Sequence, residues 1–332
     1  MNPVFCHRMQ TVTLARHAMA TRFEIILHGE NGSRLRGAGE EALAEVERIE
    51  AQLSIYRPTS EIARVNACAA RQPVRVTPAV FRLLEQARQL HHESGGTFDI
   101  TIAPLVKCWG FMDGSGALPD PVDIARAREQ VGMQRVILDE KNLTVRFDAE
   151  GVMLDLGAIG KGYAIDRAAE TLREAGVSSA LLHGGTSTVY GLGKPLGDDA
   201  WRVAIESPPG DDTGPRWTAT VPLQDEALSV SAVWGKFFEH EGKKFGHVLD
   251  PRAGQPVANA VLAAVVLPSA AETDALSTAL LVVGTEGHEK IAQLRPGIRT
   301  LVVGGSADNF RADSKGIALK MRERIEKPRG NS

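Results

Sequence analysis

The feature that most limits the fold is a train of short apolar runs in the second half of the chain. SALLH (179–183), WRVAIE (201–206), ATVPL (219–223), LSVSA (228–232), AVLAAVVL (260–267) and TLVVGG (300–305) each have strand length, and turn residues bound most of them. The first half adds more. Residues 12–28 read as a strand pair, or as one long strand interrupted near Ala18-Met19-Ala20-Thr21. Residues 134–148 read as a hairpin, with QRVILD and LTVRFD flanking Glu140-Lys141-Asn142, and a further strand is expected to end near Asp155. Helices are fewer. Leu43, Val46, Ile49 and Leu53 keep a helical period over 36–53, and Val80, Leu83, Leu84, Ala87 and Leu90 make one face over 79–93, stopping at Gly95-Gly96. GAIGKGYAIDRAAETLREAG places a glycine-rich turn before a helix that ends at Gly176. In SAAETDALSTALLVVG, Ser269 and Glu272 have capping-box spacing and Gly284 suits the C′ position.

Strands outnumber helices and do not alternate strictly with them, which predicts an α+β fold rather than a doubly wound parallel sheet. The chain has 332 residues, 43% hydrophobic and 24% charged, enough to bury a core without staples. No repeat or low-complexity linker divides it. The expectation is a single compact domain of mixed and antiparallel sheets packed with helices over 12–310. It is preceded by an extension at 1–11 and followed by a polar, basic tail at 311–332 that is helical or without fixed structure.

A net charge of -3 gives no electrostatic case for nucleic acid. No run approaches 18 apolar residues, so no membrane span is predicted. The N-terminus lacks an apolar h-region, and a cytoplasmic location is expected. Cys6, Cys68 and Cys108 are far apart, odd in number and without a CxxC, so reduced thiols are expected rather than a disulfide framework or a zinc site.

Several stretches carry possible chemistry. The turn Gly157-Ala158-Ile159-Gly160-Lys161-Gly162 opens a helix, so its N–H groups and Lys161 can face an anion; the alternative is a structural turn. It matches neither the Walker A spacing nor GxGxxG with its acidic partner. Asp274 and Thr278 stand one helical turn apart. They are either hard-oxygen ligands for Mg²⁺, or a buried threonine and a carboxylate favoured by the helix dipole. Tyr56 and Trp109 are core aromatics or stacking surfaces for a planar heterocycle, and Thr97-Phe98-Asp99 follows two glycines. His247, in GKKFGHVLDPRAG, is a structural or solvated histidine, a general base, or a ligand-orienting donor.

Taken in order, AMAT (18–21), LSIYRPTSEIARVN (53–66), GGTFDITIAPLVKCWGF (95–111), LDLGAIGKGYAID (154–166), GHVLDPRAGQPV (246–257) and TDALSTALLVVG (273–284) resemble the FAD:protein FMN transferase family, the ApbE-type flavin transferases. The resemblance implies a T-fold-like flavin transferase. It also implies a Mg²⁺-dependent reaction that splits FAD, attaches FMN to a Thr or Ser of an acceptor flavoprotein and releases AMP. It assigns Met19, Tyr56, Thr97, Phe98, Asp99, Trp109, Asp155, Lys161 and Val248 to the FAD pocket. It assigns the Ala158 carbonyl, Asp274 and Thr278 to the metal, and His247 to the transfer step. The chain departs from the family at Gly246, where a second histidine is common, at Val230-Ser231-Ala232, and at Thr186-Ser187-Thr188. An FAD pyrophosphatase that uses water as acceptor is the alternative reading, and a non-catalytic FAD carrier is a third.

Overall fold

The computed structural model describes residues 9–206, 217–306 and 309–321. In chain order the elements are β1 (Gln10–Ala18), β2 (Thr21–Gly29), α1 (Gly32–Leu53), α2 (Glu61–Cys68), β3 (Val74–Arg75), α3 (Pro78–Ser94), α4 (Ala103–Cys108), α5 (Pro121–Arg128), β4 (Val136–Asp139), β5 (Thr144–Phe147), α6 (Gly160–Glu174), β6 (Ser179–Gly184), β7 (Thr188–Gly193), β8 (Trp201–Glu206), β9 (Trp217–Leu223), β10 (Glu226–Ala232), β11 (Phe237–His240), β12 (Lys243–Gly246), β13 (Leu249–Asp250), β14 (Gln255–Pro256), β15 (Leu262–Leu267), α7 (Ala270–Val283), α8 (His288–Ala292), β16 (Arg299–Ser306), β17 (Asn309–Lys315) and β18 (Leu319–Met321).

An eight-stranded sheet runs β1-β2-β6-β7-β10-β15-β16-β17, and every neighbouring pair in it is antiparallel. Its spatial order is its chain order, so the sheet is a meander whose connections have grown into functional excursions. The largest, from β2 to β6, holds α1 to α6 and the small sheet β3-β5-β4; another, from β10 to β15, holds the hairpins β11–β12 and β13–β14.

The sequence of β15 explains the layering. All six of its residues are buried. Ala263, Val265 and Leu267 face the core shared with α1, α6 and α7, whereas Leu262, Ala264 and Val266 face a second core under the sheet β18-β9-β8. An unbroken apolar strand is stable only where both sheet faces are covered. In β2 the pattern alternates instead: Phe23, Ile25 and Leu27 are buried against the helices, while Arg22 is exposed and Glu24 partly so. A third cluster holds Leu105, Trp109, Ile124, Ala127, Val131 and Leu249, and Phe238 and Phe245 of β11–β12 pack on it.

Helix α7 is buried on nearly every side, so it lacks the polar face of a surface helix. Its N-terminus is capped twice. The Ser269 hydroxyl accepts from the Glu272 N–H at 3.3 Å. Asp166 of α6 accepts from the Ala270 and Ala271 N–H groups at 2.7 and 2.9 Å and from the Ser269 hydroxyl at 2.9 Å. Only half of the expected capping box forms, because the Glu272 carboxylate pairs with Arg295 at 2.9 Å.

The strand pair at 12–28 is present, closed by a two-residue turn in which Met19 and Ala20 both have positive φ, 50° and 56°. The hairpin at 134–148 is present as β4–β5. Two expectations are corrected. The segment before Asp155 is not a strand: Leu154 exchanges two hydrogen bonds with the Asn66 side chain, and the Asp155 N–H donates to Ile100 O. The described part of the tail is neither helical nor unstructured. β17 closes one edge of the large sheet and β18 pairs with β9. Residues 322–332, and most of the 1–11 extension, lie outside the described residues.

Candidate active site

The centre of the site is where α6 starts against α7. The Gly162 N–H, in the first turn of α6, donates to Asp274 Oδ2 at 3.1 Å. A Cβ at residue 162 would overlap the Ala270 carbonyl, so glycine is what allows the two helices to approach this closely. Asp274 is itself 4% exposed. Lys161 Nζ lies 3.5 Å from Asp274 Oδ1 and donates to the Gly157 carbonyl at 3.1 Å. The Gly157 N–H donates to Asp155 Oδ1 at 2.8 Å. Two of the amides in the glycine-rich turn are therefore held by the protein's own carboxylates. The turn faces two carboxylates, Asp155 and Asp274, and both are internal.

Thr278 sits one turn beyond Asp274. Its hydroxyl lies 3.3 Å from the Asp274 carbonyl and 3.2 Å from Ser231 Oγ of β10. Ser231 also meets Ser277 Oγ at 2.9 Å. Below them Ser229 joins Thr188 and Thr273 at 3.2 and 3.0 Å, so two of the positions that depart from the family pattern take part in a hydroxyl ladder between the sheet and α7. Among the described residues no group of three or more His, Cys, Asp or Glu side chains is placed to hold a metal. The oxygen donors that the structure brings together here are the Asp274 carboxylate and the Thr278 and Ser231 hydroxyls. An all-oxygen set with a single charged ligand suits Mg²⁺, which keeps waters and takes phosphate oxygens as its other ligands; it is a poor set for zinc.

His247 follows β12, and the hairpin β11–β12 is anchored through Phe238 and Phe245 beside Trp109. Its backbone N–H and its Nδ1 both lie 3.0 Å from the Lys236 carbonyl oxygen. A carbonyl only accepts, so Nδ1 carries the ring proton and Nε2 carries the lone pair of the neutral imidazole. Burial pushes the His247 pKa below its ordinary value, and the nearby Lys236 and Lys161 charges push it further down. The same two lysines oppose the effect of burial on Asp155, whose carboxyl is nevertheless pushed up. His247, Lys161, Lys236 and Asp155 thus share one electrostatic neighbourhood, and Lys161 ties it to Asp274.

The remaining expected residues divide into two groups. Tyr56 is 68% exposed, and its hydroxyl donates to the Met112 carbonyl at 3.4 Å. Partial burial and the Asp155 charge raise its pKa. Met19 and Val248 are partly buried at the rim of the main core. The Met19 N–H donates to Glu50 Oε1 at 3.0 Å, and Glu50 Oε2 pairs with Arg57 at 2.6 Å. By contrast, the side chains of Thr97, Phe98, Asp99 and Trp109 are turned inward. Thr97 donates to Ser94 O at 3.2 Å, and Asp99 accepts from Thr101 N and Oγ1 at 2.7 and 2.6 Å and faces His91 Nδ1 at 3.1 Å. Trp109 Nε1 donates to Gly254 O at 2.9 Å.

Sequence reasoning missed Glu50, Asp166 and Lys236. Asp166 is an acidic residue inside a helix, which looks like ordinary surface until α7 docks on it. Lys236 contributes a backbone carbonyl, which no side-chain pattern encodes.

The ApbE family model matches residues 19–302 of the chain. Among curated proteins, the FAD:protein FMN transferase of Escherichia coli (strain K12) is 28% identical over 321 residues, covering 93% of this chain and 88% of that one. One from Klebsiella pneumoniae (strain 342) is 32% identical over 253 residues, covering 74% and 77%. Among solved structures, the apo form of Pseudomonas stutzeri flavinyl transferase ApbE superposes with a TM-score of 0.81 at 29% identity, covering 93% of this chain and 95% of that one. Flavin transferase ApbE from Vibrio cholerae gives 0.81 at 26%, covering 93% and 98%.

Proposed function

This chain belongs to the ApbE family, and from that premise we propose that it is a FAD:protein FMN transferase. It transfers the FMN half of FAD to a Thr or Ser hydroxyl of an acceptor flavoprotein and releases AMP. The observation that carries the mechanism is the state of His247: its Nδ1 proton is committed to the Lys236 carbonyl and its pKa is lowered, which leaves Nε2 as a neutral base.

His247 Nε2 takes the proton of the acceptor hydroxyl. The hydroxyl oxygen forms a bond to the flavin-side phosphorus, the bond from that phosphorus to the bridging oxygen breaks, and AMP leaves with the electron pair. Asp274, Thr278 and the Ala158 carbonyl are the residues that would hold Mg²⁺, which neutralises phosphate charge as the pyrophosphate is split. Met19, Tyr56, Asp155, Lys161 and Val248 are assigned to the FAD pocket. Thr97, Phe98, Asp99 and Trp109 are assigned to the same pocket as its buried frame. Among the described residues no helix is long and apolar enough to cross a membrane; we assign the reaction to the cytoplasm, which cell fractionation tests.

The deciding experiment incubates the full chain with FAD and Mg²⁺, with and without an acceptor carrying a flavinylation threonine, and follows AMP release and acceptor mass. AMP with an FMN-sized mass gain on the acceptor is the expected result. AMP with free FMN and an unmodified acceptor would replace transfer with hydrolysis. Bound FAD with no AMP would reduce the protein to a carrier.

A further inference from the structure

Lys161 stands where a cation is needed in the chain without a metal. Asp274 is a buried carboxylate in an apolar helix, and such a group is costly unless it is paired. One of its oxygens takes the Gly162 N–H, and the other faces Lys161 Nζ at 3.5 Å. The lysine is not locked there. Its distance from Asp274 is long for a charge-assisted hydrogen bond, its other contact is the neutral Gly157 carbonyl, and its side chain is 24% exposed against 5% for that of Asp274.

We propose that Lys161 is an exchangeable counter-ion of Asp274, displaced from Asp274 Oδ1 when the divalent metal binds and then available to the pyrophosphate that arrives with it. This rests on the assignment of Asp274 to the metal. The physical requirement is simple. An ammonium and a divalent ion sharing one carboxylate oxygen would stand a few ångströms apart in a poorly solvated site, where like charges repel strongly. A lysine on a flexible four-carbon stem can swing away, which a backbone N–H such as that of Gly162 cannot do. Once free, its anionic destinations include Asp155, which already feels the Lys161 charge, and the phosphates.

The consequence is a coupling between two ligands through one side chain. Metal binding without pyrophosphate leaves the ammonium only Asp155 as a partner, whereas metal binding with pyrophosphate gives it the phosphates as well. The two therefore bind with positive cooperativity, and by linkage each tightens the other by the same factor.

The test measures binding rather than turnover. Mn²⁺ is titrated into the full chain and followed by its EPR signal, with and without α,β-methylene-ADP, whose pyrophosphate bridge resists cleavage. In the wild type, the nucleotide is expected to tighten Mn²⁺ on the order of tenfold, within the usual range of such couplings. Lys161→Met should bind Mn²⁺ about tenfold more tightly than wild type in the absence of nucleotide and lose the share of the coupling that the side chain carries, while direct metal–phosphate contact keeps the rest. Lys161→Arg, which keeps the charge, should retain weak binding of the metal alone. If Lys161→Met binds Mn²⁺ no more tightly than wild type, while Asp274→Ala loses it, the exchange is overturned and the metal site stands. If Asp274→Ala binds Mn²⁺ undiminished, the metal assignment falls, and the exchange falls with it.

Discussion

Gly162 donates its backbone N–H to Asp274 across 112 residues of sequence, and the contact exists because residue 162 has no side chain. The start of one helix is pressed against the first turn of another. Gly162→Ala must therefore push α6 away from the Ala270 carbonyl. Overpacking of this kind costs ~1–3 kcal/mol, and here it also removes the hydrogen bond that orients the Asp274 carboxylate. We expect a lowered Tm together with weakened Mn²⁺ binding. A variant with wild-type Tm and wild-type metal affinity would show that the close approach has no functional weight.

The state of His247 sets a pH dependence. Its folded-state pKa is depressed, so the native ring stays neutral below the ordinary imidazole value of about 6.5. As a base it works in the deprotonated form, so the acid limb of kcat/KM should fall with a midpoint below about 6.5, not at it. The stability linkage has the same sense. The unfolded chain takes up protons on His247 before the native chain does, so this residue's contribution is present above the unfolded pKa and is lost as pH falls towards the folded one. His247→Ala should remove the limb and most of the turnover while FAD still binds. A limb centred at or above 6.5 in the wild type would contradict the assignment.

Asp166 makes a prediction about scaffold rather than chemistry. It accepts from two first-turn amides of α7 and from the Ser269 hydroxyl, joining α6 to α7 at the end where Asp274 resides. Loss of a helix cap typically costs ~0.5–2 kcal/mol, and leaving buried amides without partners moves the effect to the upper part of that range. Asp166→Ala should destabilise the protein by about 2 kcal/mol in urea unfolding, with unchanged m-value. Asp166→Asn, which can still accept, should recover part of the loss. Equal stability of all three proteins would deny the capping role.

How much of this was legible in the sequence depended on the range of the interaction. The apolar runs at 228–232, 260–267 and 300–305 became β10, β15 and β16 because runs this short have strand rather than helix length. Helix α3 and its Gly95 stop were visible for the same local reason. The irregular segment at Leu154 was not, because its hydrogen-bonding partner is the side chain of Asn66, 88 residues away. The glycine-rich turn was recognised as a place for an anion, but nothing local says that Asp274 is an anion already there. Thr278 and Asp274 were placed on one face by spacing alone, whereas Ser231, which meets Thr278 from β10, became visible only through the strand register. The short helices α2, α4, α5 and α8 have too few turns to show a period.

Glu50 joins two stretches that the chain needs on the same side of the site. Its Oε1 accepts from Met19 in the β1–β2 turn, and its Oε2 pairs with Arg57, the neighbour of Tyr56. Met19 and Ala20 both have left-handed backbone conformations that L-residues with side chains disfavour by roughly 1–2 kcal/mol each. Asn-Gly is the pair that such a hairpin turn prefers. The strain is tolerated while Glu50 ties down the Met19 amide. Two measurements follow. Replacing Met19-Ala20 with Asn-Gly should raise stability by about 1–2 kcal/mol while weakening FAD binding, since the Met19 side chain is lost. Glu50→Ala should free both the turn and the Tyr56 loop, raising KM for FAD several-fold with kcat close to wild type, because neither loop carries the base or the metal ligands. A Glu50→Ala enzyme with unchanged KM and reduced kcat would mean that the clip acts on the reacting groups and not on the walls of the pocket.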